Sequence, residues 1–290
     1  VVGLPFPLAQ GREPDSAGCR ALAKSPRATA SILARLAKHP DSSVRVGVAG
    51  NPRAPVAVLE SLSKDRDDQV RRTIAGEPSA PSLVLTVLSK DRSAAVRQVA
   101  AANPTAPATV LKALAKDPDA SVRLVVAKNP NTPIATLEAL ARDGGDRVRK
   151  AVAENPRAPV TLLEALAEDG HDGVRHGVAG NPNTPAGTLE ALVRDRDLEV
   201  RQAVAGNPNT PAPVLEALAK DRDSEAEVKQ AVAGNPSTPA DLLLALAKDA
   251  DTGVRCSTAG NTRAPVGVLE SLANDPKSWV RRAVAENPST

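Results

Sequence analysis

Asn-Pro dipeptides, or close variants of them, recur along this sequence every 26 residues, and that period constrains the fold more than any other property of the chain. Copies begin at Ser25, Asn51, Glu77, Asn103, Asn129, Asn155, Asn181, Asn207, Asn235 and Asn261, and the one that begins at Asn207 is longer, at 28 residues. Self-similarity at this length marks a stacked array in which each unit buries its apolar face against the next. Ten copies fill residues 25–286, and residues 287–290 open a further one. Residues 1–24 are expected to form an N-terminal cap, with Leu4, Phe6 and Leu8 over the first layer and residues 15–24 as the second half of a degenerate copy.

Numbering positions within one copy separates fixed sites from free ones. Positions 9 and 12 are Leu in all ten copies, position 25 is always Ala, and the Val six residues before each copy's end is always followed by Arg or Lys. Thr-Pro or Ala-Pro at positions 4 and 5 predicts the start of a first helix of about ten residues, with Thr132, Thr184, Thr210 and Thr238 as capping hydroxyls and the proline in the first turn. Apolar residues at positions 8, 9 and 12 share one face of that helix. Val at position 20, with position 24 and Ala at 25, predicts a second, shorter element of one to two turns, expected to be 3₁₀, that stops at Asn-Pro. The 28-residue copy carries its insertion near Glu225-Ala226, between the Leu and Val positions, so a bulge on one edge is expected there rather than a break in the stack.

The inventory of reactive side chains argues against an enzyme. There is no Met or Tyr, one Phe, one Trp, and only His39, His171 and His176 for acid-base work. Cys19 and Cys256 are too few for a disulfide framework or a thiolate metal site and suit a reducing, cytoplasmic compartment. His171 and His176 lack the further ligands that zinc needs, and no phosphate-cradling glycine motif or calcium loop is present, so no cofactor, metal or small-molecule substrate is expected. No apolar run approaches the length of a membrane span.

The string at residues 148–169, Val-Arg-Lys-Ala-Val-Ala-Glu-Asn-Pro-Arg-Ala-Pro-Val-Thr-Leu-Leu-Glu-Ala-Leu-Ala-Glu-Asp, resembles the leucine-rich repeat variant family, and its sister segments carry the likeness over about nine-tenths of the chain. The resemblance implies an all-α, strand-free solenoid of alternating α- and 3₁₀-helices wound into a right-handed superhelix. Some members hold an iron-sulfur centre on an N-terminal cysteine cluster; here Cys19 stands alone in that region, so the cofactor does not carry over. The six-residue spacing from Asp to Arg is also similar to that of HEAT repeats.

Basic residues fall in rows. One row, at position 21, runs Arg45, Arg71, Arg97, Arg123, Arg149, Arg175, Arg201, Lys229, Arg255 and Arg281; position 15 is Asp in nine copies. The favoured reading is a ladder of charge-assisted bonds between turns, the rival a phosphate-tracking stripe. Position 14, with Lys38, Lys64, Lys90, Lys116, Arg142, Arg194, Lys220 and Lys248, is the better phosphate candidate because no Asp needs it. With a net charge of only +3, tight duplex binding at physiological salt is not expected. Position 22 varies beside invariant neighbours, through Arg72, Gln98, Leu124, Lys150, His176, Gln202 and Gln230, and is the candidate recognition row of a groove. The expected function is a non-enzymatic scaffold for a protein or peptide, with sequence-nonspecific duplex binding as the alternative.

Overall fold

The computed structural model describes residues 15–220 and 225–290. Residues Leu4, Phe6, Leu8 and Asp221 and the site of the insertion up to residue 224 lie outside the described residues. Among the described residues every regular element is an α-helix, and none is long and apolar enough to cross a membrane. The chain divides into two compact units, Val1–Pro133 and Ile134–Thr290.

The first unit holds α1 (Ser16–Lys24), α2 (Ala30–Leu36), α3 (Ser42–Ala49), α4 (Val56–Leu62), α5 (Asp68–Gly76), α6 (Ser82–Leu88), α7 (Ala94–Ala102), α8 (Ala108–Leu114) and α9 (Ala120–Lys128). The second holds α10 (Ile134–Leu140), α11 (Asp146–Ala153), α12 (Val160–Leu166), α13 (Asp172–Gly180), α14 (Ala186–Leu192), α15 (Leu198–Gly206), α16 (Ala212–Lys220), α17 (Ala226–Gly234), α18 (Ala240–Leu246), α19 (Thr252–Gly260), α20 (Val266–Leu272) and α21 (Ser278–Glu286). Even-numbered helices are the first of each repeat and odd-numbered ones the second.

Three local expectations need correction. The second element is an α-helix of eight or nine residues, not 3₁₀. Its apolar positions 20, 24 and 25 fall on one face at the α period and would scatter on a threefold helix, and 3₁₀ runs beyond a single turn are poorly bonded. The tight i→i−3 bonds instead close the first helix: Lys64 N–H reaches the Ser61 carbonyl at 3.2 Å and Asp65 N–H the Leu62 carbonyl at 3.0 Å. That closure shortens most first helices to seven residues, where about ten were expected. The proline at position 5 is the N-cap itself, with extended backbone and no capping side chain, as at Pro55, Pro185 and Pro239.

Each apolar position then finds its place. Val44, Val70 and Val96, with Val48 and Ile74, are fully buried in the first unit beside Leu33, Leu85 and Leu88. In the second unit Val174, Val200, Val228 and Val254 are buried with Leu137, Leu163, Leu189, Leu215 and Leu243. Each such side chain contributes about 1.5–3 kcal/mol. Along each stack the second helices pack directly on one another, α3 on α5 and α5 on α7, α13 on α15 and α15 on α17, while successive first helices meet far less. Within each unit, therefore, the second helices form the narrower side of the layers.

Candidate binding surfaces

Two ladders hold the layers and define which side chains remain available. In the first, the Arg after the buried Val reaches the position 15 Asp of the next repeat through both Nε and Nη2. Arg71 binds Asp91 at 2.6 and 3.0 Å, and Arg175 binds Asp195 at 2.6 and 2.9 Å, with side chains less than a tenth exposed. Arg45–Asp65, Arg97–Asp117, Arg149–Asp169 and Arg255–Asp275 repeat the pattern. The free Nη1 of Arg175 donates to the Asp169 carbonyl of its own turn at 2.8 Å. The Arg149 guanidinium holds the Asp169 carboxyl below the usual carboxylate range, and Arg255 does the same to Asp275. Burial pushes Asp117 the other way, yet its bonds to Arg97 and to the Asp119 N–H leave it lowered as well. These arginines tie turns together and are not a phosphate stripe.

The second ladder was not foreseen. The side-chain amide of Asn207 donates to the carbonyls of Ala179 and Asn181, at 2.7 and 2.9 Å, on either side of the preceding repeat boundary, while its oxygen accepts from Asn209 N–H at 2.9 Å. Asn51, Asn103, Asn181, Asn235, Asn261 and Asn287 do likewise. The threonines expected to cap the first helix also turn inward: the hydroxyls of Thr132 and Thr184 are buried and donate to the carbonyls of Val126 and Val178, at 2.6 and 2.5 Å. A hydroxyl there satisfies an orphan carbonyl at the end of the second helix, and the next helix starts from proline without it.

The candidate recognition row lies on the second helices. In the first unit it comprises Arg72 on α5, Gln98 on α7 and Leu124 on α9, all half-buried. In the second unit Lys150, His176 and Gln230 are half-buried on α11, α13 and α17, and Gln202 on α15 is exposed. Several reach the N-terminus of the next second helix: Gln98 meets the Ser121 hydroxyl, and Gln230 Nε2 donates to Asp251 Oδ1 at 3.2 Å. Arg72 instead faces Asp68 on its own helix at 3.5 Å, and Lys150 faces Glu154, which caps the end of α11, at 3.7 Å. Among the described residues, Arg72 Nε, although within ion-pair distance of Asp68, and His176 Nδ1 are buried without a hydrogen-bond partner.

Beside this row, position 26 is glycine in four successive repeats of the second unit: Gly180, Gly206, Gly234 and Gly260. A Cβ at any of the four would meet nothing within 4 Å. The same helix end is built with Ala102, Lys128 or Glu286 in other repeats, so the backbone does not require glycine there. Position 26 thus leaves bare helix backbone facing solvent.

Other surfaces are distinct. Between first helices of the second unit lie open grooves of about 340 Å³ (α10 and α12) and 520 Å³ (α12 and α14), the latter with Glu164, Glu168, Gly187 and Leu192 among its lining. His39 and His171 stand where other copies have Asp, each accepting a backbone N–H at 3.1 Å through Nδ1, from Asp41 and Gly173. His171 Nε2 lies 3.3 Å from Asp146. Charge is also divided between the units. Residues 1–133 carry 19 basic and 11 acidic side chains, net +8, while residues 134–290 carry 18 and 23, net −5.

The family models agree with this architecture. A leucine-rich repeat variant domain matches residues 121–181, and the leucine-rich repeat variant unit matches residues 172–197, 198–223 and 226–251. Among solved structures, a leucine-rich repeat variant with a novel repetitive structural motif is 29% identical, with 77% of this chain and 87% of that one covered and a TM-score of 0.54. An engineered protein is 19% identical over 92% of this chain and 97% of its own, with a TM-score of 0.35. No curated protein matches significantly. With the period, the paired helices of every layer, the family-model matches and the first of these structures in agreement, the chain is a helical-repeat protein similar to the leucine-rich repeat variant family.

Proposed function

We propose that this protein is a non-catalytic scaffold that binds an extended peptide along the second-helix face of residues 134–290. The glycine row carries the reading. Exposed glycine costs up to about 1 kcal/mol relative to alanine in a helix interior and less at its last residue, and neither packing nor backbone conformation repays that cost at Gly180, Gly206, Gly234 and Gly260. A main chain lying close against bare helix backbone would repay it, and the neighbouring amides of Gln202 and Gln230 offer donors and acceptors for such a chain. Lys150 and His176 continue the same row and would set side-chain preference. That His39 and His171 accept backbone N–H groups at helix starts supports the non-catalytic reading.

The test is selection of peptides from a random library on the intact protein, followed by binding to a Gly206→Arg/Gly234→Arg variant. Both positions have room, so the variant should melt as the parent does while losing the selected peptides by at least about tenfold, the equivalent of 1.4 kcal/mol. An Ala186→Arg change on a first helix should leave binding intact. Peptides that bind parent and glycine variant equally would remove the basis for this reading.

A further inference from the structure

We propose a second site, separate from the peptide face: the turn edge of the first unit is a sequence-independent binding surface for the phosphate backbone of duplex nucleic acid. Positions 14 and 16 lie in the turn between the two helices of each repeat, so Lys38, Lys64, Arg66, Lys90, Arg92 and Lys116 line one edge of four successive layers. All six are exposed, and none has a carboxylate within ion-pair distance among the described residues. The acids nearest in sequence are occupied. Asp65, Asp91 and Asp117 are held by ladder arginines, while Asp41, Asp67 and Asp119 accept N–H bonds at the starts of the second helices, and Asp68 faces Arg72.

The two arginines are positioned without being neutralised. Arg66 Nη2 donates to the Pro40 carbonyl at 3.2 Å and Arg92 Nη2 to the Arg66 carbonyl at 3.3 Å, so each lies along the edge toward the preceding repeat and keeps its charge and remaining donors for a ligand. Lys64, Arg66 and Arg92 line a shallow pocket of about 420 Å³ there. With layers about 8–10 Å apart the row spans roughly 30 Å. That suits a linear polyanion, and a duplex carries one charge per ~1.7 Å of axis. Single strands would gain little stacking, because residues 15–133 contain no Phe, Tyr or Trp. A lipid surface is poorly matched too: the exposed apolar side chains Val56, Leu83 and Val87 are on the first helices, not in the turns.

The experiment is fluorescence anisotropy of an arbitrary duplex of about 20 base pairs with the full chain across about 20–200 mM salt, where contact with five or six phosphates gives a log–log slope of about −4.5 to −5.5. Binding should be measurable at the low end and fade toward physiological salt. Lys64→Gln/Arg66→Gln/Lys90→Gln/Arg92→Gln should flatten the slope by about three to four units, whereas Arg194→Gln/Arg196→Gln, the same positions in the second unit, should leave it unchanged. Circular dichroism confirms the fold of each variant. Should the fourfold variant fail to fold, Lys64→Gln/Lys90→Gln, which disturbs no backbone bond, should flatten the slope by about two units. Absence of salt-dependent binding at low salt, or equal weakening by the control pair, overturns the proposal. So does salt-dependent self-association seen by sedimentation without duplex binding, which would give the basic edge to the acidic unit of a second copy.

Discussion

An arginine that answers one carboxylate through Nε and Nη2 together cannot be exchanged for lysine without loss, and this chain contains its own comparison. Lys229 occupies the arginine position of its repeat and reaches Asp249 through a single contact at 3.6 Å, with both side chains more exposed than in the Arg175–Asp195 rung. A lysine is a point charge and cannot reproduce the fork. Arg175→Ala should therefore lower stability by about 3–5 kcal/mol, since it leaves Asp195 buried and unpaired. Lys229→Arg should raise stability by about 0.5–1 kcal/mol through the second hydrogen bond. Urea titration of each variant checks both; a Lys229→Arg protein no more stable than its parent would mean that the neighbouring backbone prevents the fork from closing. This ladder was legible in the sequence because Asp and Arg recur at matched positions. The identity of each Arg's partner, in the next repeat rather than its own, was not.

At the scale of the helix, what could be read was what repeats locally: the Leu and Val faces, the proline starts and the Asn-Pro stops. What could not be read were bonds whose partners are backbone atoms far back in the chain. Asn207 looks like a helix terminator, and its donors to the Ala179 and Asn181 carbonyls, 28 and 26 residues earlier, leave no trace in side-chain identity. Thr184 has the same history: a hydroxyl ahead of a proline reads as a cap for the next helix, but it satisfies the helix before. The position 22 row was found by its variability, though Gln98 and Gln230 are partly engaged with the next layer. The position 26 glycines escaped notice because an Asn-Pro stop explains glycine just as well. Asn207→Ala should cost about 2–4 kcal/mol by orphaning two buried carbonyls. Asn207→Asp is the sharper test. It preserves shape yet turns a carboxylate oxygen on two carbonyl oxygens, so it should be at least as damaging as alanine in thermal melts. A tolerated aspartate would show that the ladder carries little of the stability.

Over the whole chain, the net charge of +3 conceals a first unit at +8 and a second at −5, a division that becomes visible only once the unit boundary at Pro133 is drawn. The division should shape the response to acid. Asp117 in the first unit, and Asp169, Asp195 and Asp275 in the second, all have folded-state pKa values below their ordinary value. A carboxylate depressed by folding contributes stability that is fully present above its unfolded value, about 3.9 for Asp, and that is lost as pH falls through the lower folded value. Both units should therefore hold steady from neutral pH down to about 5 and weaken below about 4 as the rungs protonate. Their margins differ. Protonating carboxylates in a unit already carrying a cationic excess adds directly to its self-repulsion, whereas in the acidic unit the same protons first cancel an anionic excess. Because each repeat answers mainly to its neighbours, the units need not fail together. Hydrogen exchange followed by mass spectrometry down a pH series should show α3, α5 and α7 losing protection at a higher pH than α13, α15 and α19, with a gap that narrows when salt screens the repulsion. Simultaneous loss, or earlier loss in the second unit, would show that rung chemistry rather than regional charge sets the acid limit.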